Sequence, residues 1–500
     1  MLNLLSVLPI LCMLVCLLLF NLSVLKASVI SFFITLAIFT IQFGAGLFGT
    51  AVAIAKGSSL ALFVILIVWG AMLLYNLVNE TKALDVINRN IEIAIENKFH
   101  QFILISWAFA PFLGGIAGFG VPVVVAISIL ISLGFKPVVA ACAVLIGNSW
   151  GISFGSMGSS IFTIDIVTRE SIYDILVYMA RFGMIGMFGT GLVVCYLYGG
   201  VKHVWKGLPF LLAVTVVMSI VLNIVAKLGM LSVVGLLTGL SGLIFGLVLS
   251  NFRKKRKVQL YSAELNLFQA MTPYFLTIIL SISFFILNPT LSIDLSFPGY
   301  ETLFGQVVPS EENYISFNVL RYPFTVILIA SSISVAIFYK KKTFNAQTAK
   351  TIIAKTAQKC IPTTVALLFL LSMTVMMIDS GMTERLAVFL ATVTGDAYPL
   401  ISPFIGCIGT FVTGSNTNSN IIFGSFQEIA AGTIGKNAAM MCATQSMGAS
   451  IGGALSPTVV SLAATAAHIQ NNEGQIYRKI ILPILAIILC IGIANFLFIT

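Results

Sequence analysis

The residues best suited to bind a small molecule lie in one uncharged stretch, Gly406–Asn420, which reads GCIGTFVTGSNTNSN. Asparagines alternate there with hydroxyl residues directly after a Thr-Gly-Ser break. The residues that we select from it are Thr413, Gly414, Ser415, Asn416, Thr417, Asn418 and Asn420. Asn and Thr side chains donate hydrogen bonds to carboxylate and hydroxyl oxygens without a fixed charge. The stretch therefore predicts reversible binding of a small polar molecule or anion.

The sequence around this stretch is typical of a membrane protein. Of its 500 residues, 59% are hydrophobic and 9% are charged, whereas soluble proteins carry roughly 25% charged residues. A transmembrane helix needs about 20 apolar residues, so the chain is predicted to cross the membrane roughly 12 to 14 times, with some crossings broken. We expect an all-α polytopic membrane protein with a single transmembrane transporter domain over residues 1–500. Residues 1–20 lack a basic start and a cleavage site, which favours a retained transmembrane helix over a signal peptide.

A second group of small and polar residues lies in the first half of the chain. Segment 114–160 contains GGIAGFGVP and GNSWGISFGSMGSS. The order of its two small and polar stretches resembles the order of those in segment 406–457. Irregular backbone at membrane depth must be buried in protein or line a cavity, and transporter sites are often built from such broken helices. We therefore predict two halves in an inverted repeat, with the site between them. The predicted binding residues of the first half are Gly118, Gly120, Asn148 and Ser149.

Two alternatives to this interpretation stay open. Small and polar residues can hold neighbouring helices together without binding a ligand. Similar glycine-rich segments can also arise twice in one chain by chance. The binding interpretation is favoured by the backbone N–H groups at the start of a broken helix, because they attract anions.

The charged residues predict the orientation of the chain. Its net charge is +10, and basic residues concentrate in two loops, 251–257 and 340–359. Such loops stay in the cytoplasm. Segment 288–318 has acidic residues but no Lys or Arg, so we expect it outside. The expected location is the plasma membrane, with the lipid bilayer and not nucleic acid as partner; the oligomeric state is left open.

One acidic residue, Asp379, follows an apolar run and is the predicted proton-coupling group, because a carboxylate within a membrane is costly. The alternative is that it only marks the end of a helix. The eight cysteines and three histidines show no metal-binding spacing, so we expect no disulfide, metal or cofactor. The sequence contains no Walker loop, which disfavours ATP-driven transport. Rings of charge typical of channel filters are not evident either.

Residues 80–100 differ from the rest because charged residues alternate with isoleucines. Ile87, Ile91 and Ile95 are spaced four residues apart. This spacing predicts an amphipathic helix, which we expect at the membrane surface. Binding of a partner is the alternative role.

At these motifs the sequence resembles the L-lactate permease family. The matching segments are GFGVPVVVAISILISLGFKP at Gly118–Pro137, NSWGISFGSMG at Asn148–Gly158, SGM at Ser380–Met382, GTFVTGSNTNSNIIFGSFQ at Gly409–Gln427 and SP at Ser456–Pro457. They keep the family's order and approximate spacing over most of the chain. The resemblance implies a secondary active transporter that carries lactate and related 2-hydroxy monocarboxylates, such as glycolate, together with protons.

Two departures from the family's pattern bear on the substrate and the coupling ion. The family commonly has an acidic residue shortly before its GFG motif, whereas this chain reads GGIAG over Gly114–Gly118. Where the family tends to have N-T-A-P, Asn148 is followed here by Ser149, Trp150 and Gly151. A permease for another small organic anion with altered ion coupling is therefore an alternative. An integral-membrane enzyme is a remote one, since no nucleophile and base are paired.

Overall fold

The structure is a computed structural model that describes residues 2–20, 22–118, 120–251, 264–303, 305, 307–470 and 473–499. Most of the basic loop predicted at 251–257 lies outside the described residues. The described residues form α-helices joined by short π-helical and 3-10 turns, with one small β region between two helices.

In chain order the α-helices are α1 (Leu2–Leu18), α2 (Val24–Ala37), α3 (Leu47–Glu80), α4 (Ala83–Ala94), α5 (Lys98–Leu104), α6 (Ala110–Gly114), α7 (Val121–Ser132), α8 (Pro137–Ser149), α9 (Ser159–Val167), α10 (Ile172–Gly199), α11 (Val201–Lys227), α12 (Val234–Asn251), α13 (Leu267–Leu287), α14 (Pro323–Lys340), α15 (Ala346–Asp379), α16 (Met382–Thr394), α17 (Tyr398–Thr413), α18 (Asn416–Thr433), α19 (Ala438–Gly452), α20 (Pro457–Ala466) and α21 (Glu473–Phe498). The π-helical turns are Ile38–Gln42 and Ile105–Phe109, and the 3-10 turns are Ile152–Phe154, Ser156–Gly158, Leu231–Val233, Gly395–Ala397 and Gly453–Leu455. The strands are β1 (Ser292–Phe297), β2 (Tyr300–Glu301), β3 (Val307–Val308) and β4 (Glu311–Asn318).

Ten helices in the described part of the chain are long and apolar enough to cross a membrane. An eleventh crossing arises if α19 and α20, which are bent by 45° at a short break, count as one span. The all-α polytopic fold is thus confirmed, although the sequence predicted roughly 12 to 14 crossings. The difference arises because α1, α7, α8 and α9 are apolar but short, and hydropathy counts them like full crossings; α1 is the helix predicted to cross the membrane at residues 1–20. Their apolar stretches are Leu5–Leu17, Val121–Ser132, Pro137–Ser149 and Ser156–Val167.

The lengths of the helices repeat along the chain. Helices α3 and α15 have 34 residues each, and α4 and α16 have 12 and 13. Helices α9 and α20 have 9 and 10 residues, and α10 and α21 have 28 and 26. When α5 and α6, which a π-helical turn joins, are counted as one element, the order from α2 to α10 matches that from α14 to α21. We call these two stretches the first and second series.

Contacts between the two series are reciprocal. Helix α9 packs against α18, and its counterpart α20 packs against α7. Helix α10 packs against α19, and α21 against α8. The long helices α3 and α15 pack on each other, and Gly57 makes this contact close, because a Cβ there would lie 2.3 Å from the Cα of Ser372. The two series therefore interlock along short and long helices alike.

A small β region lies between α13 and α14 and packs on α3. Strand β1 pairs antiparallel with β4, with Ser292 opposite Asn318 and Phe297 opposite Glu311. Strand β2 pairs with β3, and both β2 and β4 contact α3. We call the described residues of 292–318 the hairpin region.

The predicted amphipathic helix is present as α4. Ile87 and Ile91 on its apolar face are buried, and α4 packs on α13 and α3. The isoleucine stripe predicted from the sequence therefore contacts neighbouring helices of the protein.

Candidate functional site

The predicted binding stretch forms the junction between α17 and α18. Gly414 ends α17 with a left-handed φ of 72°, a conformation that favours glycine. Ser415 caps α18, since its hydroxyl accepts the N–H of Asn418 at 3.3 Å. The first N–H groups of a helix have no acceptor within that helix. Those of Asn416 and Thr417 therefore remain available at the break.

Asn416 joins the two series of helices. Its Nδ2 donates to the Oγ of Ser153 at 2.7 Å. That hydroxyl donates in turn to the carbonyl of Ser446 at 2.7 Å, and the Ser153 N–H donates to the Oγ of Ser450 at 2.9 Å. Asn416 is buried, and its Oδ1 accepts no hydrogen bond from any described residue. One acceptor is thus left open at the point where the series meet.

Asn420 makes a second link between the series. Its Nδ2 donates to the carbonyl of Ser160 at 3.0 Å and to the Oγ of Ser446 at 3.1 Å. The hydroxyls of Ser160 and Thr417 are 3.2 Å apart. The Oδ1 of Asn420 also accepts nothing from the described residues. The residues that we call the asparagine centre are Ser153, Ser160, Asn416, Thr417, Asn420, Ser446 and Ser450.

Buried amides behind the asparagine centre fix α18 against α17 and α19. Gln445 donates to the Oγ of Ser419 at 3.1 Å, and Gln427 donates to the Oε1 of Gln445 at 3.0 Å. The Tyr398 hydroxyl donates to the Oε1 of Gln427 at 2.7 Å. We did not predict these roles from the sequence, although a glutamine within an apolar helix is a usable signal, since a buried amide requires hydrogen-bond partners.

The predicted glycines of the first series lie at the break before α7. Gly120 has a left-handed φ of 76°, and a Cβ there would lie 2.1 Å from Leu462 in α20. A Cβ on Gly118 would lie 2.0 Å from the Oγ of Ser156. Asn148, in the last turn of α8, is buried. The break of the first series therefore packs closely on a helix of the second.

Two of the predicted residues use their side chains to hold nearby backbone. The Thr413 hydroxyl lies 2.7 Å from the carbonyl of Gly409 and 3.0 Å from that of Ser415, and it accepts the N–H of Ser415 at 3.3 Å. The Ser149 hydroxyl donates to the carbonyl of Ile146 at 2.8 Å, while the Ser149 carbonyl accepts from Ser450 at 2.6 Å. These groups hold backbone in place at the edge of the asparagine centre.

Asp379, the predicted proton-coupling group, lies apart from this centre at the last residue of α15. Its Oδ2 accepts a hydrogen bond from the Tyr300 hydroxyl at 2.8 Å, and it interacts electrostatically with Lys56, Glu311 and Arg169. Burial, followed by the negative charge of Asp379, raises the pKa of Tyr300 above its usual range, so the phenol keeps the proton that it donates. We call these five residues the lysine cluster.

Lys56 is the residue that we missed in the sequence. Its side chain is 1% exposed, and its Nζ lies 3.0 Å from the Oε2 of Glu311. The angles of this ion pair do not meet hydrogen-bond geometry, and Nζ donates to no described residue. A usable signal was present, because Lys56 lies in a helix that is long and apolar enough to cross a membrane, and a lysine inside such a span is costly.

Comparison with known proteins decides the family. The family described as L-lactate permease matches residues 3–500 of this chain. The chain belongs to the L-lactate permease family. The resemblance inferred from the motifs is thereby confirmed.

Relatives of this family member match it over most of its length. An L-lactate permease of Streptococcus iniae is 29% identical over 457 residues, which are 89% of this chain and 94% of the relative. One of Halalkalibacterium halodurans is 25% identical over 95% of this chain and 92% of the relative. One of Escherichia coli (strain K12) is 26% identical over 82% of this chain and 80% of the relative.

Membership of the L-lactate permease family also decides the general activity. Permeases are transporters and not enzymes, so this chain is a multi-pass transport protein of the cell membrane. The integral-membrane enzyme that the sequence left open is thereby excluded.

One cavity of about 260 Å³ lies elsewhere in this family member. Its lining includes Phe63 of α3, Phe162 and Asp165 of α9, and Phe317 of the hairpin region. No residue of the asparagine centre lines it. The residues of the asparagine centre are buried, apart from the half-buried Thr417.

Proposed function

We propose that this transporter carries lactate and related 2-hydroxy monocarboxylates, and that it moves them together with protons. The observation that supports this best is the hydrogen bond between Asn416 and Ser153, because it joins the two series at an uncharged helix break. The relatives named L-lactate permease support the choice of substrate.

The asparagine centre has the chemistry that a small anion requires. The start of α18 provides the N–H groups of Asn416 and Thr417 together with the positive end of the helix dipole. Serine and asparagine side chains add neutral donors. Because the centre contains no fixed positive charge, a bound monocarboxylate can also leave it, which transport requires as much as binding.

The unpaired amide oxygens account for the preference for a 2-hydroxy acid. The Oδ1 atoms of Asn416 and Asn420 are buried without a donor among the described residues. An unsatisfied buried acceptor costs about 1–3 kcal/mol. The 2-hydroxyl group of lactate is a donor that can satisfy one of these oxygens, whereas acetate has none.

The remaining predicted residues complete the proposed site around these two asparagines. From the second series they are Thr413, Gly414, Ser415, Thr417 and Asn418. From the first series they are Gly118, Gly120, Asn148 and Ser149.

Asp379 is the group that we assign to proton coupling. Asp379 lies among the cations Lys56 and Arg169, the carboxylate of Glu311 and the Tyr300 hydroxyl that donates to it. A carboxylate between such neighbours changes its protonation when one of them moves. This is the property that a proton-coupling group needs.

The repeated helices suggest how access alternates. In an inverted repeat, one series rocks against the other around a central site. Segments 114–160 and 406–457 occupy equivalent places in the two series, and each contains a break between helices. Movement of α9 against α18 would then open the asparagine centre to one side at a time.

A permease for another small organic anion with different ion coupling is the second candidate. The observation that favours it is the absence of an acidic residue in the run before Gly118. The bulk of Trp150 does not add to this, because its ring is fully buried and its Nε1–H donates to the carbonyl of Trp107 at 3.0 Å.

Uptake of labelled L-lactate into proteoliposomes under an imposed inward proton gradient tests the proposal. We expect saturable accumulation that a protonophore abolishes and that sodium does not restore. Entry of other organic anions without lactate would refute the substrate. Sodium-dependent uptake that resists the protonophore would refute the coupling ion and favour the second candidate, and uptake that never exceeds equilibrium would point to a channel.

A further inference from the structure

Lys56 is a buried cation with unused hydrogen-bonding capacity. It lies in α3, is 1% exposed and has its Nζ 3.0 Å from Glu311, yet it donates to no described residue. An ammonium group has three donors. Its Nζ also lies 5.2 Å from the centre of the Tyr314 ring. A lysine inside a membrane-spanning helix is costly to bury, and its presence there indicates a function.

The partner of Lys56 comes from outside the membrane-spanning helices. Glu311 begins β4 of the hairpin region, and its side chain is 29% exposed. Its other oxygen lies 3.9 Å from Arg169, which is 85% exposed. The carboxylate of Glu311 therefore lies between a buried cation and a solvent-exposed one.

The hairpin region contacts both long helices at this end. The Tyr300 hydroxyl donates to Asp379 of α15 at 2.8 Å, and the Tyr300 ring lies where a Cβ on Gly49 of α3 would be. The N–H of Leu303 donates to the carbonyl of Gly44 at 2.8 Å. In this conformation the hairpin region covers the end of the α3–α15 pair and holds Glu311 on Lys56.

Helices α9 and α18 connect the lysine cluster with the asparagine centre. Near their first turns, the hydroxyls of Ser160 and Thr417 are 3.2 Å apart. Just beyond the end of α9, the N–H of Arg169 donates to Glu428 of α18 at 3.0 Å. The helical rise of 1.5 Å per residue places Thr417 and Glu428 about 17 Å apart along α18. A ligand that entered at the lysine cluster would reach the asparagine centre along this helix pair.

We propose that Lys56 is the entry residue that binds the carboxylate of the substrate, and that Glu311 occupies Lys56 until the substrate displaces it. The inference rests on the proposed function in one respect, namely that the transported molecule is a monocarboxylate. Glu311 carries the same charged group as such a substrate, so the two compete for one ammonium. No bond is made or broken, and the exchange replaces one carboxylate by another.

Competition predicts opposite effects of the two partners. In Glu311→Gln the side chain keeps its size but loses the competing charge, so a larger fraction of Lys56 is free to bind. The KM for the substrate should then fall about 2- to 10-fold. In Lys56→Ala the KM should rise about 10- to 100-fold, because a hydrogen bond to a charged group is lost. Lys56→Arg keeps the charge and should stay close to the wild type.

The first measurement is the KM for uptake in proteoliposomes. The second is the rise in Tm of the purified protein in sodium lactate, glycolate or acetate, relative to its Tm in sodium chloride. The matched control is Glu80→Gln, which breaks the exposed pair of Glu80 with Lys355 at the other end of the same two helices. Its KM should not change. Should Lys56→Ala fail to fold, Glu311→Gln and Lys56→Arg still decide the question.

A KM that is unchanged or raised in Glu311→Gln would overturn the proposal and identify the pair as structural. The proposed function fails separately, when the wild type takes up no lactate. In that case the role of Lys56 is still supported if a monocarboxylate raises the Tm of the wild type and does not change the Tm of Lys56→Ala. The same monocarboxylate must also raise the Tm of Glu311→Gln at a lower concentration than that of the wild type. If no monocarboxylate distinguishes these proteins, the role of Lys56 is refuted.

Discussion

The asparagine centre and the lysine cluster lie towards opposite ends of α9 and α18 and differ in how they bury polar groups. The asparagine centre is neutral and is held by hydrogen bonds between the two series, such as that of Asn416 with Ser153. The lysine cluster is charged and is completed by the hairpin region through Glu311 and Tyr300. The charged cluster is the more open of the two, with Arg169 85% exposed, whereas the asparagine centre has only Thr417 half-buried among otherwise buried residues.

This difference follows from the energies involved. A neutral hydrogen bond contributes about 0.5–1.5 kcal/mol net, so the asparagine centre can be rearranged during transport at small expense. A buried ion pair that loses one partner costs about 3–5 kcal/mol. Charges are therefore expected where water or a substrate can replace the lost partner, which is the case beside the hairpin region.

The largest effect should come from Asp379→Asn in the lysine cluster. The amide keeps an acceptor for Tyr300 but cannot carry a proton. Accumulation driven by a proton gradient should fall to the level of protein-free vesicles, while lactate exchange without a gradient persists. The measurement is uptake against counterflow, with Glu384→Gln on the exposed start of α16 as the control. Unchanged gradient-driven uptake would remove Asp379 from the coupling.

A smaller effect is expected from Asn416→Ala in the asparagine centre. We assign the second N–H of the Asn416 amide to the substrate carboxylate, and loss of one such hydrogen bond is worth roughly 1.5–3 kcal/mol, or about 10- to 150-fold in KM. Asn418→Ala should act in the same direction. Measuring the abundance of each variant in the membrane together with its KM distinguishes a loss of substrate binding from a loss of folding. Wild-type KM in both variants, with reduced abundance, would leave only a structural role.

The break before α18 can be tested through its backbone. In Gly414→Ala the residue keeps a φ of 72°, and its Cβ would lie 2.4 Å from the Oγ1 of Thr458. We expect a loss of about 1–3 kcal/mol in the free energy of unfolding, read as a lower Tm in detergent. Gly432→Ala, near the other end of α18 and with nothing within 4 Å of its Cβ, should gain up to about 1 kcal/mol instead. Equal Tm values for the two variants would contradict the proposed strain.

The smallest effect should come from the pair of Glu80 and Lys355, which resembles that of Lys56 and Glu311 except that its lysine is exposed, while Glu80 is 18% exposed. Its atoms are 2.7 Å apart, and the lysine is 51% exposed. Such pairs contribute about 0–1 kcal/mol. Lys355→Gln should therefore lower the Tm by no more than a few degrees in low salt, and high salt should abolish the difference. A larger fall in Tm would mean that solvent exposure does not explain the difference between this ion pair and that of Lys56 and Glu311.

Much of the fold could be read from local sequence. The apolar runs predicted the helical membrane fold, and the glycines before α7 and at Gly414 predicted breaks, because both depend only on residues close in the chain. The crossings were overcounted because a short apolar helix and a complete span look alike in hydropathy. The polar stretch at 413–420 was correctly placed at a helix junction, since Thr, Gly and Ser disfavour a continuous apolar helix.

The sequence by itself determined the membrane fold, the uncharged stretch and the resemblance to the family that the full-length match then confirmed. Only the tertiary structure decided which groups meet. Ser153 lies 263 residues before Asn416, and Glu311 reaches Lys56 from a separate β region. The physical reason is that hydrophobicity and helix breaking are local properties, whereas hydrogen bonds and ion pairs across helices depend on how the two series pack.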